Sequence, residues 1–317
     1  MKRHTPTPFS TARDYRPGLR ITWLLWLWWW LLPLSATSFA GDAPLVFSHP
    51  VSSEPYYLYR DRYFNKVLEL ALQKSGVAYQ IKPVPLPPML ESRSEIYLTK
   101  GRYNTHWLMT NNSHEDKLIP IRIPLYKGLI GWRLLLIHPD SQQQFATIDS
   151  VRQLRTLTAV QGLDWPDSSI LKSSGFNLRT SLQWTSLVEL IALRRADYFP
   201  RSVIEIWEEQ ERTQRRSLMV EEHLVLHYPS AYYFFVSRLF PHHAEVLEQG
   251  LRKAVEDGSF DALFQQNFGE SLARANLQQR RVISINNPLL PPHTPLKDSQ
   301  LWYRVEPTPS PKAANPD

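Results

Sequence analysis

From residue 45 onward the hydrophobic positions switch between two periods, every second residue and every third or fourth, so short strands and amphipathic helices alternate. Residues 45–47 read as a strand, and the polar, aromatic segment 52–59 as the loop after it. Phe64, Val67, Leu68, Ala71 and Leu72 keep helical spacing up to Gly76, and residues 78–84 alternate as a second strand. Strand, helix and strand in that order predict a parallel crossover. Pro83, Pro85, Pro87 and Pro88 mark a turn before a short helix through Arg93. Residues 105–109 form the next strand, 110–117 a polar turn, and 121–126 and 132–137 two further extended segments.

Residues 138–144 are polar and without period, as expected where a chain leaves one compact unit for another. Beyond them the pattern predicts a helix over 149–154, a strand over 156–160, and a helix opened by Pro166 and ended before Gly175. A strand near 178–182 follows. The stretch 187–209 then holds a helix, a strand, a turn and a second helix. Leu187, Leu190, Ile191 and Arg194 share a helical face, residues 196–199 suit a buried strand, and Pro200 is expected to stop it. Ser202 and Glu205 match a capping box that opens the next helix. Arg201 is thereby placed at the carboxyl end of a strand and beside a helix N-terminus. Open α/β sheets bind ligands at that edge, and the free N–H groups favour anions.

Residues 223–227 and 231–236 are extended again, 244–255 is an amphipathic helix, Asp257-Gly258 breaks it, and 260–268 is a last short helix. After Ser284 the prolines at 288, 291, 292, 295, 307, 309, 311 and 316 predict a disordered tail over 285–317, with Leu301, Trp302 and Tyr303 as a local docking point.

The N-terminus changes the meaning of the overall charge. Lys2, Arg3, Arg13, Arg16 and Arg20 face a single acid, Asp14, and precede a fourteen-residue apolar run over 21–34, shorter than a membrane span. Ser38 and Ala40 supply the small residues of a cleavage site before Gly41, so residues 1–40 read as a signal peptide and the mature chain as periplasmic. Losing five positive charges and one negative lowers the formal net charge from +6 to +2, which removes the main support for a nucleic-acid partner. The chain has no cysteine, hence no disulfide, thiol nucleophile or thiolate metal site.

Three segments, in order, resemble the solute-binding protein family 3 of the type II periplasmic binding proteins. They are Ile123-Pro124-Leu125-Tyr126, Arg195-Ala196-Asp197, and Tyr233-Phe234-Phe235-Val236 followed by Ala254 to Phe260. The resemblance covers about 45–269 and implies an α/β fold of two lobes joined by two hinge crossings, with ligand held between them. On this frame residues 41–133 and 228–284 make the first lobe and 134–227 the second. The family's carboxylate-binding arginine, after the 105–109 strand, is absent from Thr110 to Lys117, and where its amino-binding aspartate is expected stand Pro200, Arg201 and Ser202. The expected ligand is therefore a small anionic or carboxylate-bearing solute.

Arg201 and Ser202, with Trp165 and Asp167 at the other helix start of the second lobe, are the candidate ligand contacts there. Trp107, Asn111, Tyr126 and Tyr57 are those of the first lobe. Packing for the tryptophans and capping for Asp167 are the competing structural roles. Glu205, Glu208 and Glu209 read as a solvated helix face, and His114-Glu115-Asp116 and His242-His243 as solvated charge, not metal ligands. No Gly-x-Ser-x-Gly elbow, P-loop, His-Glu-x-x-His or dinucleotide fingerprint is present, and no catalytic residue, cofactor or metal is expected. The leading expectation is a monomeric binder that captures solute without chemistry and hands it to an ABC transporter permease or a membrane receptor. The alternatives are an envelope interaction protein of the same fold and, more remotely, a hydrolase. The leader yields the first prediction: N-terminal sequencing of exported protein should read from Gly41, and a start at Met1 would count against cleavage.

Overall fold

The computed structural model describes residues 43–52, 55–87, 89–213 and 216–305, with the backbone alone for 55–59. The leader expected over 1–40 and the end of the tail, 306–317, lie outside the described residues. The chain opens with β1 (Leu45–Val51), α1 (Pro55–Ser75), β2 (Tyr79–Pro85), α2 (Glu91–Thr99), β3 (Thr105–Met109), α3 (Asn112–Lys117) and β4 (Leu118–Ile121). Its middle holds β5 (Trp132–Ile137), α4 (Gln142–Phe145), α5 (Val151–Leu154), β6 (Thr158–Gly162), α6 (Pro166–Ser173), β7 (Asn177–Ser181), α7 (Trp184–Ala192), β8 (Tyr198–Ser202), α8 (Ile206–Arg212), β9 (Met219–Val220) and β10 (Leu224–His227). It closes with β11 (Tyr232–Ser237), α9 (Pro241–Glu256), α10 (Ser259–Ala275) and β12 (Arg281–Ser284).

These strands form a fold of two lobes. In one, β1 and β2 pair in parallel, and β11 lies between β3 and β4, antiparallel to both. Asn104, just before β3, stitches the two groups together: its Oδ1 accepts from Ser48 N–H at 2.8 Å, and its amide donates to the Val46 carbonyl at 2.7 Å. Phe64, Val67, Leu68, Ala71 and Leu72, the predicted helical face, are all fully buried there. Helices α1 and α9 meet at backbone distance, because a Cβ on Gly250 would lie 1.8 Å from the Ala71 carbonyl oxygen. The other lobe is a sheet in the order β12-β10-β5-β8-β6-β7, with β9 also on β5. Leu135, Ile137, Phe145, Ile170, Leu171 and Tyr198 pack its core.

Five sequence expectations are corrected. Segment 52–59 is not a loop: Pro55 opens α1, its fixed φ and missing N–H suiting a first helical position. Residues 110–117 are not all turn, since Asn111 caps α3 by accepting from His114 N–H at 2.8 Å. Pro200 does not stop its strand. In the antiparallel β5–β8 pair Leu135 faces Pro200, and the Val203 N–H bonds Trp132. By alternation the absent N–H of Pro200 therefore points away from β5, toward β6. That ladder keeps only the Ala159–Tyr198 pair, and the Gln161 side chain bonds the Pro200 carbonyl at 3.0 Å instead. Residues 281–284, expected in the first lobe, form β12 beside β10 in the other sheet. The tail through 305 is packed, with Leu301 buried and Trp302 Nε1 donating to the Pro295 carbonyl at 2.8 Å.

Gly250→Ala should force α1 and α9 apart and lower stability by about 1–3 kcal/mol, the usual cost of overpacking. Urea unfolding checks this; an unchanged midpoint would mean the helices separate freely.

Candidate functional site

The site is built on the strand ends of both lobes. An inner cavity of about 140 Å³ is lined by Glu91, His106, Trp107 and Tyr232 from one lobe and by Arg133, Asp164, Trp165, Asp167 and Arg201 from the other. Arg60 and Glu205 also line an outer cavity of about 150 Å³, together with Tyr63, Tyr126, Glu209 and Phe268. A more open groove continues the inner cavity past Glu91, Asp164, Trp165 and Pro166 toward Asn111 and Leu289. The lobes also touch through α8 and α10, where Trp207 Nε1 donates to the Ser271 carbonyl at 3.1 Å.

The two guanidinium groups in the floor are committed within their own lobe. Arg201, only 2% exposed, donates Nε and Nη2 to the two carboxylate oxygens of Glu209, each at 2.6 Å, and lies 3.3 Å from Glu205. This planar fork is the strongest ion-pair geometry a side chain offers. Arg133 lies 2.5 Å from Asp167 and 3.6 Å from Glu205, with Tyr228 hydroxyl also donating to Asp167. Arg60, on α1, pairs with Asp61 at 3.0 Å, and Asp61 also accepts from Trp107 Nε1 at 3.1 Å. Burial raises the Glu209 carboxyl, and the Arg201 fork opposes that shift.

Glu91 differs from these acids. Its hydrogen bond comes from the Tyr232 hydroxyl at 3.4 Å, and no cation pairs with it among the described residues. Burial pushes its carboxyl up to about 7, with Arg60 working against the shift. Asp164 stands exposed at the cavity mouth, also without an ion pair among the described residues. Three buried nitrogens on the wall, Arg133 Nε and Nη2 and His106 Nδ1, have no well-aligned hydrogen-bond partner among the described residues, Nη2 being held by the ion pair with Asp167 alone. Burial also holds the His106 ring well below its usual value, so it is neutral at pH 7.

The expected contacts scatter along this cleft. Trp107, Trp165, Asp167 and Arg201 line the inner cavity, Tyr126 the outer one, and Asn111 the open groove. Trp165 rests on Gly162, where a Cβ would lie 2.3 Å from the indole, and carries the Arg201 guanidinium 4.6 Å from its ring. Ser202 is fully buried and donates to the Leu129 carbonyl at 2.9 Å, so it neither caps α8 nor faces the cleft. Only the glutamate half of the capping box forms, with Glu205 accepting from Ser202 N–H at 3.3 Å. Tyr57 lies in α1, and its side chain is outside the described residues. Arg201 does not extend into the cleft as a free anion receptor, because Glu209 takes its fork. Glu209 is buried rather than solvated, and so is His114.

Sequence reasoning missed Arg60, Glu91, Arg133, Glu209 and Tyr232. One signal was available, since a buried arginine demands a carboxylate and Glu205, Glu208 and Glu209, at the start of α8, all fall within eight residues of Arg201.

No family model matches the sequence, and no curated protein matches it. Solved structures do. The periplasmic VFT2 domain of Bordetella pertussis BvgS is 15% identical, with 70% of this chain and 93% of that one aligned at a TM-score of 0.52. A histidine kinase sensor domain with similarity to periplasmic binding proteins is 13% identical over 72% and 97%, at 0.52. The GluR0 ligand-binding core of Nostoc punctiforme, in complex with L-glutamate, is 10% identical over 71% and 99%, at 0.50.

Arg201→Ala should cost about 3–5 kcal/mol of stability by leaving Glu209 buried and uncompensated, whereas the double change Arg201→Met with Glu209→Leu should recover most of it. Chemical denaturation of the three proteins decides, and a loss under about 1 kcal/mol in the single variant would mean that the pair is not formed. With strand order, cleft and neighbours in agreement, the chain has the two-lobe fold of the periplasmic binding proteins and of the sensor domains that share it.

Proposed function

We propose that this chain is exported and captures a small solute between its two lobes, for delivery to or signalling through a membrane partner, without chemical conversion. The solute carries a positively charged group. The observation that supports this reading is the imbalance of the inner cavity: its buried arginines are matched by Glu209, Asp167 and Glu205, while Glu91 and Asp164 have no paired cation among the described residues. An anionic solute would meet neutralised guanidinium groups and two acids. A cationic group instead replaces the missing partner of Glu91 and recovers part of its desolvation cost. Trp165 and Trp107 supply aromatic wall. An inner cavity of about 140 Å³ lies below the range for drug-sized ligands and suits a solute of amino-acid size. One fold neighbour holds such a solute, L-glutamate.

The experiment is a thermal-shift screen with matched cationic, zwitterionic and anionic solutes, since ligand at 100 times its dissociation constant adds about 2.7 kcal/mol of stability. Cationic or zwitterionic solutes should stabilise, and stabilisation by anions alone would overturn the charge assignment. Glu91 fixes the pH dependence. Its folded value near 7 lies above its ordinary value of 4.5, so the folded chain holds the extra proton between the two, and stability falls as pH rises through that window. A bound cation favours the ionised form, so affinity should tighten from about pH 6 to about pH 8 and flatten in Glu91→Gln. Calorimetry at both pH values checks this with the solute the screen identifies.

A further inference from the structure

We propose that residues 285–305 form a strap across both hinge crossings and restrain the movement of one lobe against the other. The crossings are the segments 127–131, entering β5, and 228–231, leaving β10. They lie against each other, since Tyr228 N–H bonds the Gly131 carbonyl at 3.1 Å and a Cβ on Gly131 would lie 2.0 Å from the Tyr228 carbonyl oxygen. The strap holds each one. Asn287 Nδ2 donates to the Pro229 carbonyl at 2.8 Å and to Ser230 Oγ at 3.2 Å, on the second crossing. Tyr303 N–H bonds the Lys127 carbonyl at 2.7 Å, on the first.

Trp302 makes the tightest of these contacts. Its indole fills the notch over Gly128, where a Cβ would lie 2.4 Å from the ring and where φ of +78° already favours glycine. Any change of the Lys127–Gly128 backbone angles, which hinge bending requires, must move that ring or displace it. The two ends of the strap are anchored in different lobes. β12 pairs with β10, and Ile285 and Leu289 pack on the core of the large sheet. Leu301 joins the main core, and Trp302 packs with the cluster around Tyr233 and Phe235 of the other lobe. The chain thus crosses between lobes a third time at 276–280 and returns through the strap. Half of the eight prolines read as a signature of disorder, those at 288, 291, 292 and 295, belong to this described segment.

The chain's lack of cysteine allows a direct test without any ligand. Spin labels on cysteines introduced at Gln73, exposed on α1, and Lys172, exposed on α6, report the distance between lobes by pulsed electron resonance. The parent should give one narrow distribution. Trp302→Ala should broaden it about twofold or add a second distance, the signature of a released hinge, while Leu296→Ala, an exposed strap position, should not. An unchanged distribution in a Trp302→Ala protein with parental circular dichroism would overturn the proposal, as would equal broadening in Leu296→Ala. If Trp302→Ala does not fold, Asn287→Ala decides, with broadening expected and an unaltered distribution overturning it.

Discussion

Two guanidinium groups, Arg133 and Arg201, lie almost wholly out of water on adjacent strands, and the arrangement of the cleft follows from what keeps them charged there. An isolated buried charge costs several kcal/mol, so each must find a carboxylate within its own lobe before it can serve a ligand. Glu209 takes Arg201 and Asp167 takes Arg133, and Glu205 lies between the two cations. These pairs bind β5, β8, α6 and α8 into one floor. The loop before α6 is fixed in turn, because Trp165 lies under Arg201 and against Gly162. The polar floor therefore acts as a scaffold whose charges are already spent on each other.

That arrangement removes the support that charge in the sequence lent to an anionic ligand. A cation at a sheet's carboxyl edge argues for an anionic ligand only while it lacks a counter-ion. Once the fork of Arg201 is filled at 2.6 Å, its field at the cavity is that of a dipole and falls off steeply. On the proposed reading Glu91, which has no paired cation among the described residues, sets the sign of what the cleft prefers; burial raises its carboxyl and Arg60 works against that shift.

What could be read in the sequence was what depends on neighbours along the chain. The apolar spacing of residues 64–72 placed the face of α1, and the strands over 105–109 and 132–137 have the bounds the pattern gave. Pro55 and Pro200 were misread for opposite reasons. Proline ends one element or begins another according to where its missing N–H falls, and that depends on the strand or turn beside it. The pairing of Arg133 with Asp167 spans thirty-four positions and has no local signature. Nor does composition separate a proline-rich segment that packs from one that does not, because Trp302 needs the notch at Gly128, a feature of a segment far away in the chain.

A strap over a hinge has a thermodynamic consequence that depends on its size. Fully burying one large aromatic side chain stabilises by about 1.5–3 kcal/mol, and Trp302 is partly buried, so a conformation that must expose it is disfavoured by at most roughly a hundredfold. Moving a two-state hinge from one percent closed to ninety-nine percent closed takes about 5.5 kcal/mol of differential binding. A contact of this size is a substantial part of that total without exceeding it. The strap would therefore set where the equilibrium rests while leaving a solute able to shift it. If the described arrangement is the favoured one, a solute that binds it needs fewer contacts to hold it. A solute that requires a wider cleft would have to supply the cost of lifting Trp302 from its own binding energy, and on the proposed reading the hinge would thereby contribute to selection alongside Glu91.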